Sequence, residues 1–376
     1  MSVIYKGFGL VLLLLLTNTA SADPVRSNRE YSKSIKKEFN INTNGTTSIS
    51  NKYGKVDVRT WSQNRVKIDV NIIVDAASEE RAQQVFDRIQ INFDNVPDAV
   101  RAETSIQPQQ SKWYLLGGGE EYKSDYTINY QVYLPASNNL EIDHKYGDLY
   151  VAGMQGKVSL DIKYVNFKIE DMGDDSSLDF YYGNGSVGNV GDLMANIGHS
   201  NLNIEEAADL QLESKYSQVT IGKANDVRVD SKYDNYELAQ IRDFRNVGKY
   251  DNFRLGLADN VEISTKYTQL TARKVSSTVD LDMEYGTAEV GLQARFEQVN
   301  CNGKGTDFRI QPESGARFAL DAEATYAGIR YPRQLQVTFE QERPTSHEVR
   351  GYVGSSSGDV PLIRCRLNYG ALKIER

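Results

Sequence analysis

The sequence predicts an all-β protein, a parallel β-solenoid with a capped N-terminal end, and three observations carry that prediction. The first is a tyrosine that recurs at Tyr146, Tyr164, Tyr182, Tyr216, Tyr233, Tyr250, Tyr267 and Tyr285, with His199 in one slot of the series. The steps are all 17 or 18 residues, and a fixed period near 20 marks stacked repeat units. The second is a pair of apolar residues six and four positions before most of these tyrosines, as in Leu140/Ile142, Val227/Val229 and Val261/Ile263. The third is a matching pair three and five positions after most of the slots, as in Leu149/Val151, Val219/Ile221 and Phe253/Leu255. Spacing by two is the period of a strand with one buried face.

Residues 1–22 read as a signal peptide. Lys6 supplies a positive start, Leu10 to Leu16 an apolar run, and Ala20-Ser21-Ala22 a small-residue cleavage site. The run is too short to span a bilayer, and no later segment is apolar enough to serve as a transmembrane segment. Export follows: a periplasmic, cell-surface or secreted protein.

Residues 23–139 are expected to form an N-terminal cap of strands with one helix. Lys52-Tyr53-Gly54, followed by Val56 and Val58, is an isolated copy of the repeat motif. Over 78–90, Ala82, Val85, Phe86 and Ile89 form a helical stripe, with Glu79 and Glu80 in the first turn. Alternation returns from Tyr126 to Leu134. A solenoid needs such a cap because an open strand edge recruits other chains.

Residues 140–376 are expected to be solenoid coils of 17–22 residues. The inward parity changes across each tyrosine, so each coil is strand, bend, strand, return turn. A right-handed path is expected, because parallel crossovers favour it. Lysine precedes most repeat tyrosines, and Asp143, Asp161, Asp179, Glu213, Asp230 and Asp282 lie three positions before the bend. An outward ion-pair ladder that fixes register is the expectation. Beyond Tyr285 the pattern continues around Gly305, Tyr326 and Tyr369, with the last copy as the final coil and 341–360 as a looser coil or loop.

These features resemble the putative-adhesin β-solenoid family of exported bacterial proteins, many of them domains of unknown function. The resemblance rests on Lys52-Tyr53-Gly54-Lys55-Val56-Asp57-Val58, Trp61, the stripe from Ala82 to Ile89, Tyr130 to Pro135, and the repeats from Tyr146-Gly147-Asp148-Leu149 onward. It implies an adhesin-like module at the cell surface or in the periplasm.

Chemistry is less legible. The net charge of −8 with mixed signs lacks the basic face that nucleic acid requires. His144, His199 and His347 occupy unrelated positions in the repeat, so no catalytic set is expected, and no cofactor. Asp171, Asp174 and Asp175 match no calcium-loop spacing, and no metal is expected. Cys301 and Cys365 each lie four residues before their bend, inward and at least two coils apart. That separation exceeds the ~7 Å Cα limit, so no disulfide is expected. Two features carry both a structural and a contact reading: the tyrosine column, either a stacked ladder that stabilises each bend or a row of rings for sugars, and Trp113, Tyr114, Leu115 and Leu116 beside a glycine run, either a hairpin folded over the end of the solenoid or a contact loop. The partner is expected to be an unknown surface glycan or protein. The alternatives are a carbohydrate-binding protein using the tyrosine-lined face and a polysaccharide-active enzyme on the same scaffold.

Overall fold

The computed structural model describes residues 28–108, 126–354 and 360–375. The segments 1–22 and 113–116, read above as signal peptide and contact loop, lie outside the described residues.

At the N-terminal end come β1 (Arg29–Asn40), β2 (Thr46–Trp61), β3 (Arg65–Ala76), α1 (Glu79–Arg88), β4 (Ile89–Val96), β5 (Ala99–Ile106) and β6 (Tyr126–Pro135). Strand β2 is already the first rung of the stack. It pairs in parallel with β7 (Asn139–Val151), with Lys52 opposite Lys145 and Gly54 opposite Gly147. Its outer edge is covered twice, by β5 along 46–50 and by β6 along 56–61. Beyond these lie β4 on one side, and β3 then β1 on the other, all antiparallel. The helix forms as its sequence requires: the Arg81 amide donates to Ser78 Oγ at 3.4 Å, acids fill the first turn and Arg88 the last. Ala82 and Phe86 bury its apolar stripe. The outermost strand β1 carries Lys33, Lys36 and Lys37, all exposed, and edge lysines discourage pairing with another chain.

The stack continues through β8 (Val158–Met172), β9 (Ser176–Tyr181), β10 (Asn184–Val190), β11 (Leu193–Gly198), β12 (Asn201–Lys215), β13 (Gln218–Lys232), β14 (Asn235–Lys249), β15 (Asn252–Lys266), β16 (Gln269–Glu284), β17 (Thr287–Leu292) and β18 (Gln298–Pro312). Successive rungs pair in parallel, and Lys215, Lys232, Lys249 and Lys266 fall in one register. One coil turns Leu202, Ile204, Ala207, Leu210, Leu212, Ser214 and Ser217 inward. The inward step is two residues along each straight face and three at each of three corners. The tyrosine sits at one corner. The aliphatic columns form one core from Ile41 to Ile374. Among the described residues no helix is long and apolar enough to cross a membrane.

The C-terminal end departs from chain order. Strands β19 (Phe318–Arg330), β20 (Gln336–Arg343), β21 (Ser346–Val353) and β22 (Leu362–Ile374) complete the chain. Of residues 341–360, expected to be a looser coil or loop, those up to Val353 belong instead to the antiparallel hairpin β20–β21, which covers the edge of β19. That edge is therefore closed to another coil. The final segment, expected to be the last rung, inserts between β18 and β19 and pairs in parallel with both. This order corrects the cysteine separation too. Cys301 and Cys365 are direct register partners on neighbouring strands, both buried and both free. One rung spacing is ~4.8 Å, within the Cα range of a disulfide, so distance no longer excludes a bridge.

Candidate functional site

Each repeat tyrosine occupies a corner with positive φ, between 52° at Tyr326 and 66° at Tyr53. Such a left-handed residue reverses inward parity in a single step, which explains the parity change across it. Its amide remains useful: the Tyr216, Tyr233 and Tyr250 amides donate to the carbonyls of Lys232, Lys249 and Lys266 in the next coil, at 2.9–3.2 Å. A non-glycine residue in this conformation costs about 1–2 kcal/mol, and the chain accepts that cost at nearly every coil.

The side chains form a continuous aromatic ladder. It runs Tyr53, Tyr146, Tyr164, Tyr182, His199, Tyr216, Tyr233, Tyr250, Tyr267 and Tyr285, with successive centroids 4.7–5.3 Å apart and planes within 17° of parallel. Tyr326 and Tyr369 form a separate stacked pair at 5.3 Å. All eight tyrosines expected as a contact face are thus brought together, with Tyr53 and His199 added. The rings are 39% exposed at Tyr233 and 54% at Tyr216, so the ladder is a surface feature. Its ring faces, however, are occupied by neighbouring rings. What solvent meets is a row of phenol edges and hydroxyls repeating about every 5 Å. A ligand that needs a free ring face finds none inside this run.

Behind the middle of the ladder lies a buried polar column, built from the residues that follow His199, Tyr216, Tyr233, Tyr250 and Tyr267. Ser200, Ser217, Asp234, Asp251 and Thr268 all point inward and are buried. Ser217, Asp234, Asp251 and Thr268 each cap the corner amide of the preceding coil. The Ser217 amide donates to Asp234 Oδ1 at 2.6 Å and the Asp234 amide to Asp251 Oδ1 at 2.9 Å. The Asp251 amide donates to Thr268 Oγ1 at 3.4 Å. Ser214 and Ser231 hydroxyls donate to the second oxygens of Asp234 and Asp251. Burial raises the Asp234 carboxyl above its usual range. Burial, aided by the charge of neighbouring Asp234 against several hydrogen bonds, pushes Asp251 up to about 6. The sequence signal was the restricted set Gly, Ser, Asp, Thr or Val after the tyrosine, which is bend composition and does not announce a buried cap.

The outward acid–lysine ladder is only partly formed. Lys145 pairs with Asp143 at 3.4 Å, Lys163 with Asp161 at 3.7 Å and Lys266 with Glu284 at 3.1 Å. Lys232 instead lies 5.6 Å over its own Tyr233 ring, and Lys52 4.7 Å over Tyr53, a cation–π arrangement. The histidines stay apart. His144 is fully buried, and burial lowers its pKa. His199 is a rung, and His347 lies 3.0 Å from Glu340. Asp171 accepts from Asn189 Nδ2 at 2.8 Å, and no metal-ligating cluster occurs among the described residues.

No family model matches the chain, and no curated protein matches it. Among solved structures it is similar to a putative cell adhesion protein from Clostridium sporogenes ATCC 15579, at 10% identity over 92% of this chain and 99% of the other, with a TM-score of 0.20. A putative adhesin from Parabacteroides merdae ATCC 43184 is 8% identical over 92% and 97% of the two chains, with a TM-score of 0.28. A putative lipid binding protein from Parabacteroides distasonis ATCC 8503 is 9% identical over 91% and 97%, with a TM-score of 0.25. The fold assignment rests on the strand register, to which superpositions at these scores add nothing. The solved proteins to which this chain is similar include putative adhesins, the description that the sequence resemblance also carries.

Proposed function

We propose that this chain is an exported, non-enzymatic, adhesin-like binding module whose contact surface is the tyrosine corner of the solenoid. The observation that supports it is the choice of residue at that corner. His199 and Gly305 hold the same left-handed bend, with φ of 53° and 62°, so the fold does not require a phenol there. Stacking contributes about 0.5–1.5 kcal/mol per pair, close to the left-handed strain of about 1–2 kcal/mol per residue. The ladder therefore adds little net stability, and its half-exposed edge is a broad, rigid, chemically repetitive surface. A repeating row of hydroxyls and edges suits a polymeric partner, a surface glycan or an extended protein segment.

The test is retention of the mature protein on intact bacterial cells and on an array of immobilised glycans, with product release assayed in parallel. Binding without turnover is the expected result. Cleavage of any retained polysaccharide would replace this reading with an enzymatic one, and absence of retention on both surfaces would refute it.

A further inference from the structure

Beside the phenol row, three consecutive corner lysines lack the acid partner that others have. Lys145 and Lys163 pair with the acids two positions before them, and Lys266 with Glu284. Lys215, Lys232 and Lys249 are direct register neighbours and make no ion pair among the described residues. Glu213 and Asp230 precede the first two by two positions without pairing with them. The acidic column then runs out, because Asp230 is followed in register by Val247 and Ser264. Val247, 63% exposed, stands where the acid for Lys249 would be. Neighbouring lysines are one rung apart, ~4.8 Å, inside the ~8 Å screening length at physiological salt. Like charges directly opposite on paired strands repel, so this stretch favours an external anion.

On the far side of the phenol row lies a second outward column, two residues after each corner. Asn201, Gln218, Asn235, Asn252 and Gln269 follow one another in register. All but the half-buried Asn252 are exposed. Asn252 Nδ2 donates to Asn235 Oδ1 at 3.4 Å, and each amide has further donor and acceptor positions beyond such a bond. The same rungs therefore present ammoniums on one side of the phenol edges and amides on the other.

We propose that this stretch is a subsite for an acidic linear polysaccharide, a chain of 1→4-linked uronic acids lying along the solenoid axis with one sugar per rung. The proposal rests on the adhesin-like reading and names its ligand class. Carboxylates meet Lys215, Lys232 and Lys249 in charge-assisted hydrogen bonds. Hydroxyls meet the amide column, and the phenol edges with Val247 meet the C–H surface of the sugars. Spacing selects the class. An extended peptide presents same-face charges every ~6.6–6.8 Å, and a duplex strand presents phosphates every ~3.4 Å. Neither keeps step with rungs ~4.8 Å apart, whereas a 1→4-linked pyranose advances by about the height of one rung. The net charge of −8 does not oppose this, because charges more than a screening length away are largely silenced.

The test is calorimetric titration of the mature protein with short 1→4-linked oligomers of glucuronate, galacturonate, mannuronate and guluronate, and with their neutral hexose counterparts. At least one uronate is expected to bind at least tenfold tighter than its neutral counterpart, and to weaken as salt rises. The triple variant Lys215→Gln, Lys232→Gln, Lys249→Gln should melt cooperatively and lose that binding. Lys33→Gln, Lys36→Gln, Lys37→Gln removes the same charge from exposed positions on β1 and should leave it unchanged. Binding to none of the uronates, equal binding of the neutral oligomers, or binding that survives the first triple variant would overturn the subsite. Polyglutamate or single-stranded DNA bound as tightly as the best uronate would overturn the spacing argument and with it the ligand class. Cell or glycan retention that persists in the first triple variant would refute the acidic subsite alone and leave the contact-face reading standing.

Discussion

Replacing Tyr233 and Tyr250 together, once with alanine and once with glycine, separates what the ring contributes from what the corner costs. The two rings take part in three stacked contacts, with Tyr216, each other and Tyr267, at 4.7–4.9 Å. At about 0.5–1.5 kcal/mol per pair, the alanine variant loses about 1.5–4.5 kcal/mol. Partial solvent exposure places the loss toward the lower end. Alanine keeps the left-handed strain, because both residues hold φ near +63°. Glycine releases about 1–2 kcal/mol per corner and gives back about 0.4–1 kcal/mol per residue through a more flexible unfolded chain. The glycine variant should therefore exceed the alanine variant by about 1–2 kcal/mol. Chemical denaturation followed by circular dichroism should rank wild type first, glycine second and alanine third. A glycine variant no more stable than the alanine variant would refute the claim that tyrosine is strained at the corner. An alanine variant equal to wild type would refute any stacking contribution.

Acidification should stabilise the buried polar column. Asp251 titrates near 6 in the folded chain and at an ordinary carboxylate pKa when unfolded. The folded state thus binds its proton more tightly, and this group's contribution rises as pH falls from above 6 to about 4. Asp251→Asn should flatten that part of the pH–stability curve, and an unchanged curve would place the carboxylate in solvent. Deleting residues 361–376 should prevent folding of the C-terminal end, because β18 and β19 would face each other across a missing rung with Ile363, Leu367 and Leu372 gone from the core. A truncated protein that melts with wild-type cooperativity would contradict the inserted strand. Cys301 and Cys365 should remain thiols and resist alkylation until the protein unfolds, since hydrogen bonding to Cys365 and burial raise the Cys301 pKa. A linked peptide in an unreduced digest would refute this.

The coil architecture was legible because the tyrosine corner and the apolar pairs report the same period independently. Leu212 and Val229 are inward where the alternation places them, as are Val219 and Ile221 across the bend. Period alone, however, fixes the spacing of rungs and not their order in space. Tyr369 follows Tyr326 in sequence yet lies closer to the rest of the ladder, so the neighbouring cysteines were read as distant. The hairpin β20–β21 was obscured for a different reason: all eight residues of β20 are exposed, and after Val337 and Phe339 the strand is wholly polar. The buried carboxylates escaped notice because aspartate after a bend ordinarily faces solvent. Nor does sequence disclose that stacked rings cover one another's faces.

The central claim is that the tyrosine corner is kept as a contact surface, and one measurement addresses it most directly. A variant with Tyr164, Tyr216, Tyr233 and Tyr250 all changed to glycine keeps the bend and removes the surface. Retention of this variant on intact cells and immobilised glycans should be compared with wild type at a temperature where both are folded. The account predicts a cooperative melt with retention reduced at least tenfold. Retention equal to wild type on a folded variant would show that the ladder is not the contact surface.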